Sequence, residues 1–408
     1  MKKRSVKIIA AGLAVLVLSG VLAGCSAGGT KEEGKETVAQ RQETEAKNVT
    51  ETETILQTKP ASEKNDESSA SDSSEGGTRM IVDALGTEVE VPEQPQAIAI
   101  VNAALPSMVY AVQGRGDNIK VIVPSAYKGW ENSILKDLAP ELADVDTEVI
   151  SNDFEVNVEA LASDKPDLLI CRENDAGQAE QIRGMGIPVA VVNAAKDLDG
   201  LKQQITMMGE ILNCEERASR IVEWYEEIEK RVDEKAAEVE ALSEAERPRV
   251  LHIMYAEQLK IYGDGVDPYI TDWVGGRNIT LAGSSADTST PTMEEVLVYD
   301  PEIIFLSNFD DVTPEDLYNN RLEGQDWSNV SAVKNHKVYK VPCGLYRWAP
   351  PNTLEKPLYV LWQASIIQPE IFGDVDMRAE VKSFFQEFFD YELTEEQIDF
   401  VLHTDLNQ

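Results

Sequence analysis

Arg347 stands between Tyr346 and Trp348, with Ala349-Pro350-Pro351 immediately after. A guanidinium is a planar fork of donors, and aromatic neighbours add contact area at small entropic cost. This triplet is the chain's best candidate for gripping an anionic planar or chelated ligand. Tyr127 and Trp130 offer a second aromatic pair, in a segment read as a loop. Arg172 follows the apolar run DLLIC, so its charge falls at the end of an expected strand. Tyr255 and Tyr262 stand at the ends of two further apolar runs. Asn308, just past EIIFL, is a plausible polar contact, whereas Trp273, ahead of Gly275-Gly276, reads as packing.

No residues pair up for catalysis. HExxH and a phosphate loop are both absent, and Gly275-Gly276-Arg277-Asn278 is too short for a dinucleotide fingerprint. Cys25, Cys171, Cys214 and Cys343 form no CxxC pair, and His252, His336 and His403 are scattered. That pattern argues against a bare metal site and calls for no cofactor. With Cys25 set aside, three cysteines remain, too few for a full disulfide framework. The formal net charge of −36 excludes nucleic acid, or an anionic membrane surface, as a partner for the body of the chain.

These residues need elements to hold them. The 408 residues are 42% apolar and 27% charged, enough to bury more than one core. From Glu215 to Leu242 there is no Gly and no Pro, and Ile221, Tyr225, Ile228, Val232, Ala236 and Val239 recur every three or four residues. The pattern predicts one amphipathic helix, roughly 40 Å long, acting as a strut. On each side of it apolar strand-like runs alternate with helical patterns. That predicts an α/β fold: two lobes with parallel-sheet cores, joined by one rigid helix, with a ligand cleft between them. The expected lobes are 79–198 and 248–408, with a helical connector over 199–247. Ligands in such sheets bind beyond the carboxyl ends of the strands, where Asn102, the Tyr127–Trp130 segment and Arg172 fall.

The chain begins with a leader. Lys2, Lys3, Arg4 and Lys7 precede an apolar run over 8–22, which ends in Leu22-Ala23-Gly24-Cys25. Residues 1–25 resemble an export signal with a bacterial lipobox, in which Cys25 becomes the lipid-attachment site. Residues 26–78 carry almost no large apolar side chain, so burial cannot offset their ordering entropy. They read as a disordered tether with a reach of about 40 Å.

The two lobes share a repeat: NVEALASDKPDLLI from Asn157 matches TMEEVLVYDPEIIF from Thr292 at one fixed offset. Glu159 aligns with Glu294, Pro166 with Pro301 and Asp167 with Glu302. Together with DALGTEVEVPEQPQAIAI, GIPVAVV, TDWVGGRNIT, AVKNHKVYKVP and PLYVLWQASIIQPEIF, taken in order, these stretches resemble a known family. It is that of the substrate-binding lipoproteins of ABC importers for ferric siderophores, haem, cobalamin and molybdate or tungstate. The resemblance covers 79–408. It implies a monomer, lipid-anchored on the outer side of the cell membrane, that delivers a small ligand to a permease and its ATPase. It also implies that Glu159 and Glu294 dock on arginines of that permease. The Arg and aromatic content favours an iron chelate, a siderophore or haem, while an oxyanion or a corrinoid stays open. A ligand sensor without transport, or a tethered enzyme on the same fold, are the other readings. Neighbouring permease and ATPase genes would separate the first of these from an importer component.

Overall fold

The structure is a computed structural model that describes residues 77–263, 266–279, 288–349 and 352–407. The expected leader, Cys25 and the tether up to residue 76 lie outside them.

A hairpin opens the fold. β1 (Thr78–Val82) pairs antiparallel with β2 (Glu88–Pro92), placing Ile81 opposite Val89. Gly86 turns it at φ 74°, where a Cβ would be strained. The Asp83 carboxylate accepts from the amides of Leu85 and Thr87 and pairs with Arg183 at 2.6 Å.

The first lobe alternates strand and helix: β3 (Ile98–Val101), α1 (Leu105–Gln113), β4 (Ile119–Ile122), α2 (Pro124–Glu131), α3 (Leu135–Leu138), α4 (Val158–Asp164), β5 (Leu168–Arg172), α5 (Ala179–Arg183) and β6 (Val189–Val192). The sheet runs β4-β3-β5-β6 and every pairing is parallel. Its strands are unbroken apolar runs because both faces are covered. The Tyr127–Trp130 segment is not a loop. It lies on α2, where Pro124 sits in the first turn, a position that asks for no amide donor.

Next come α6 (Leu198–Leu212), α7 (Glu215–Asp233) and α8 (Ala236–Glu240). The expected single strut is therefore two helices. At the break the Lys235 amide reaches back to Val232 rather than to Arg231, tightening the turn. The redirected α8 brings Val239 against Gly275 of the second lobe.

The second lobe holds β7 (Arg249–Tyr255), β8 (Lys260–Tyr262), α9 (Val266–Trp273), β9 (Arg277–Asn278), β10 (Thr288–Ser289), α10 (Met293–Tyr299), β11 (Ile303–Leu306), α11 (Pro314–Tyr318), α12 (Ser331–Lys334), β12 (Val338–Lys340), α13 (Lys356–Ile367), α14 (Met377–Phe389) and α15 (Glu395–Leu402). The order is β10-β8-β7-β11-β12, with β9 also on β7. β7, β11 and β12 run parallel, whereas β8 pairs antiparallel with both β7 and β10. Only four residues separate β7 from β8, too few for a parallel crossover.

The sequence repeat is also a structural one. Asn157 caps α4 and Thr292 caps α10. Both helices end on left-handed residues, Lys165 (φ 48°) and Asp300 (φ 46°). Asp167 then takes the amides of Gln96 and Ala97 ahead of β3, and Glu302 takes that of Arg249 at the head of β7. One apolar cluster runs from β3 through Tyr225 of α7 to Trp348 and Tyr359, and so spans both lobes. A shared core of that kind disfavours large hinge motion. A second cluster around Trp327 covers the far side of the second sheet.

Candidate functional site

Beyond β12 the chain passes between the lobes. The Gly344 carbonyl accepts from the Ile134 amide at 2.9 Å, and the Asn352 side chain donates to Asn102 at 3.1 Å. Asn102 donates in turn to Asp175, which Arg172 pairs at 2.8 Å. The charge of Arg172 is thus already matched at the carboxyl end of β5.

Arg347 is different. It is 9% exposed, donates to the Tyr346 hydroxyl at 3.1 Å, and lies 5.0 Å over the Phe309 ring and 5.4 Å over that of Tyr346. Among the described residues it has no carboxylate partner. A buried cation is costly unless paired, so the arrangement favours an anion brought from outside. Arg347 borders a cavity of about 420 Å³ between the lobes. Lys128, Gly129 and Asn132 of α2 form its first-lobe wall, and the opposite wall comes from the segments after β11 and β12 and from the C-terminal helix.

Three polar groups tune that second wall. The Lys340 ammonium donates to the carbonyls of Asp310 and Val312, and burial pushes its pKa down to about 8. Burial also pushes His403 down to about 4, so the ring is neutral and its Nε2 accepts from the Asn308 amide at 2.8 Å. The side-chain carbonyl of Asn308 is buried and finds no partner among the described residues.

Of the other expected contacts, the Tyr127 and Trp130 rings lie 5.1 Å apart and tilted by 41°, and the Trp130 indole donates to the Ala139 carbonyl. They support α2, while their neighbours Lys128 and Gly129 face the cavity. Tyr255 packs 5.4 Å from Phe309, behind the ring that Arg347 covers. Tyr262 ends β8, half-buried against the core. Trp348 is wholly enclosed, so it plugs the interlobe core and is not a cavity wall. Trp273 donates to Asp233 and stacks on Tyr269 at 5.9 Å beside a separate cavity of about 520 Å³. Asp197, Asp199, Glu229 and Asp233 line that second space, and their charge would repel an anion. Sequence reasoning reached Lys128 only as part of the Tyr127–Trp130 segment and missed Lys340 and His403 as site residues. The second Lys of KVYKV was the one readable signal for Lys340. Glu159 and Glu294 are both exposed, each the second residue of its helix.

Comparison with known proteins agrees with this architecture. A periplasmic binding protein family model matches residues 90–343. A solved periplasmic solute-binding protein from Veillonella parvula is 35% identical, with a TM-score of 0.75 over 81% of this chain and 98% of its own. The molybdate-binding protein MolA of Haemophilus influenzae is 25% identical over 337 residues, 76% of this chain and 91% of MolA. YvrC of Bacillus subtilis, an uncharacterized ABC transporter substrate-binding lipoprotein, is 27% identical over 284 residues, 67% of this chain and 82% of YvrC.

Proposed function

We propose that this chain, which belongs to the periplasmic binding protein family and is the extracytoplasmic substrate-binding protein of an ABC importer, captures an anionic ferric chelate, siderophore or haem-like, in the cavity beside Arg347. The observation that carries the reading is a buried guanidinium with no carboxylate partner among the described residues, at a cavity of about 420 Å³. A cavity of that volume falls in the usual range for small-molecule sites, and Lys128 and Lys340 add positive charge to its wall, against the carboxylates of Asp310 and Asp311. The Phe309 and Tyr346 rings pack against the guanidinium, which spares ordering entropy when ligand arrives. Delivery to the permease would use Glu159 and Glu294 as docking carboxylates, and Cys25 would carry the lipid that keeps the protein near its transporter.

A compact oxyanion is the second reading, favoured by the likeness to the molybdate-binding protein MolA. Isothermal titration of the purified chain against ferric siderophores, haem, molybdate, tungstate and cobalamin separates the two. The chelate reading expects micromolar or tighter binding of a ferric siderophore or haem, lost in R347M. Tight molybdate binding with no chelate binding would replace it by the oxyanion reading. Cobalamin binding indifferent to R347M would overturn both.

A further inference from the structure

The loop bearing Arg347 is fastened on both sides from two adjacent residues at the head of α13. Glu355 is fully buried. Its Oε1 accepts from the Leu345 amide and its Oε2 from the Tyr346 amide, both at 3.0 Å. Those are the two residues before Arg347. Lys356, also fully buried, donates through Nζ to the carbonyl of Trp348 at 2.7 Å and to that of Ala349 at 3.2 Å. Those are the two residues after it. The carboxylate thus takes donors upstream, the ammonium takes acceptors downstream, and Arg347 stands between them. Gly344 is part of the fit, because a Cβ there would come within 1.8 Å of Glu355 Oε1. From the strut, the Tyr225 hydroxyl donates to the Leu354 carbonyl at 2.6 Å, tying the head of α13 to α7.

We infer that Glu355 and Lys356 are positioning residues that hold the backbone on either side of Arg347 so that its guanidinium meets the ligand in the interlobe cavity. This rests on the reading that Arg347 binds an anion. Burying a carboxylate is unfavourable, and burial pushes the Glu355 carboxyl up to about 7. An apolar residue would fill the same space at less cost, but it would leave two buried amides without acceptors.

The test uses the whole chain and the variants E355Q, K356M, R347M, R347M/E355Q and R347M/K356M. Site-resolved amide exchange is followed by NMR, and binding of sodium molybdate and ferric enterobactin by calorimetry. E355Q is expected to speed exchange at Leu345 and Tyr346 at least tenfold while leaving the β3 and β5 amides unchanged. It is also expected to weaken probe binding about tenfold, with no further weakening in the R347M background, because the clamp acts through Arg347. K356M, which frees the other side of the loop, should reproduce the binding loss and its dependence on Arg347, and it decides the matter if E355Q does not fold. Unchanged exchange at Leu345 and Tyr346, or an equal loss of binding with and without Arg347, would overturn the inference. If the wild-type chain takes neither probe, the anion reading loses its support, and the exchange result alone decides whether the clamp exists.

Discussion

Gly129 of α2 meets the ring of Tyr346 across the boundary between the lobes: a Cβ on Gly129 would come 2.4 Å from Tyr346 Cε2. No real side chain tolerates that separation, and the ring is hemmed in by Arg347. G129A should therefore push the Arg347 loop off its seat, costing about 1–3 kcal/mol of stability by overpacking. Urea unfolding measures it. An unchanged midpoint would mean that the ring has room to move.

His252 sits inside β7 with Nε2 2.7 Å from the Thr271 hydroxyl and Nδ1 3.4 Å from that of Tyr359. Burial pushes its pKa down from 6.5 to about 3. Between those values the unfolded chain binds a proton that the folded chain refuses. Stability should therefore fall as pH drops below about 6.5, by roughly 3 kcal/mol at pH 4.5. His403, pushed down to about 4, acts in the same direction. Glu355, raised from 4.5 to about 7, acts oppositely, since the folded chain keeps its proton in that window. H252Q isolates the first effect: its unfolding midpoint should depend less on pH between 7 and 4.5 than that of the wild type. Parallel pH profiles would contradict the assignment.

How much of this could be read in advance depends on the range of the interaction. The α4–β5 and α10–β11 repeat was legible because every part of it is local: a cap, a proline and a carboxylate at fixed spacing. Arg347 was legible as a residue type, but its lack of a partner was not, since pairing is decided by segments far apart in sequence. The break after Asp233 carries no Gly or Pro to mark it. Gly129 misled in the other direction. A glycine usually argues against helix, yet here it lies within α2 because Tyr346 needs the space. Lys128 and His403 meet only when the chain's C-terminal residues fold back beside α2.

The three described cysteines are unpaired. Burial pushes the thiols of Cys171 and Cys343 up to about 12, while Cys214 is half-buried and raised less. At pH 8 a thiol with a pKa near 12 is about one part in ten thousand thiolate, the form that reacts. Of the three, Cys214 should be the one that iodoacetamide labels in the native chain, with Cys171 and Cys343 reacting only in denaturant. Peptide mapping by mass spectrometry reads this directly. Rapid native labelling of Cys343 would mean that the loop beyond β12 opens far more often than its buried contacts suggest.

Glu159 and Glu294 occupy the same place in the repeat, exposed at the second position of α4 and α10. Neither forms an ion pair among the described residues. The macrodipole of a short helix rewards a carboxylate there by about 0.3–1 kcal/mol, which explains one acid but not the matched exposure of both. If they dock on basic residues of the permease, charge reversal should act on association and leave ligand capture alone. E159R/E294R is expected to lower ligand-dependent ATPase stimulation in reconstituted vesicles at least tenfold. Each single reversal should give an intermediate loss, and calorimetric ligand affinity should stay within twofold of wild type. The separation of the two readouts is what matters. A variant that lost both would have been disturbed in its fold, whereas full stimulation by the double reversal would show that the permease contacts some other surface.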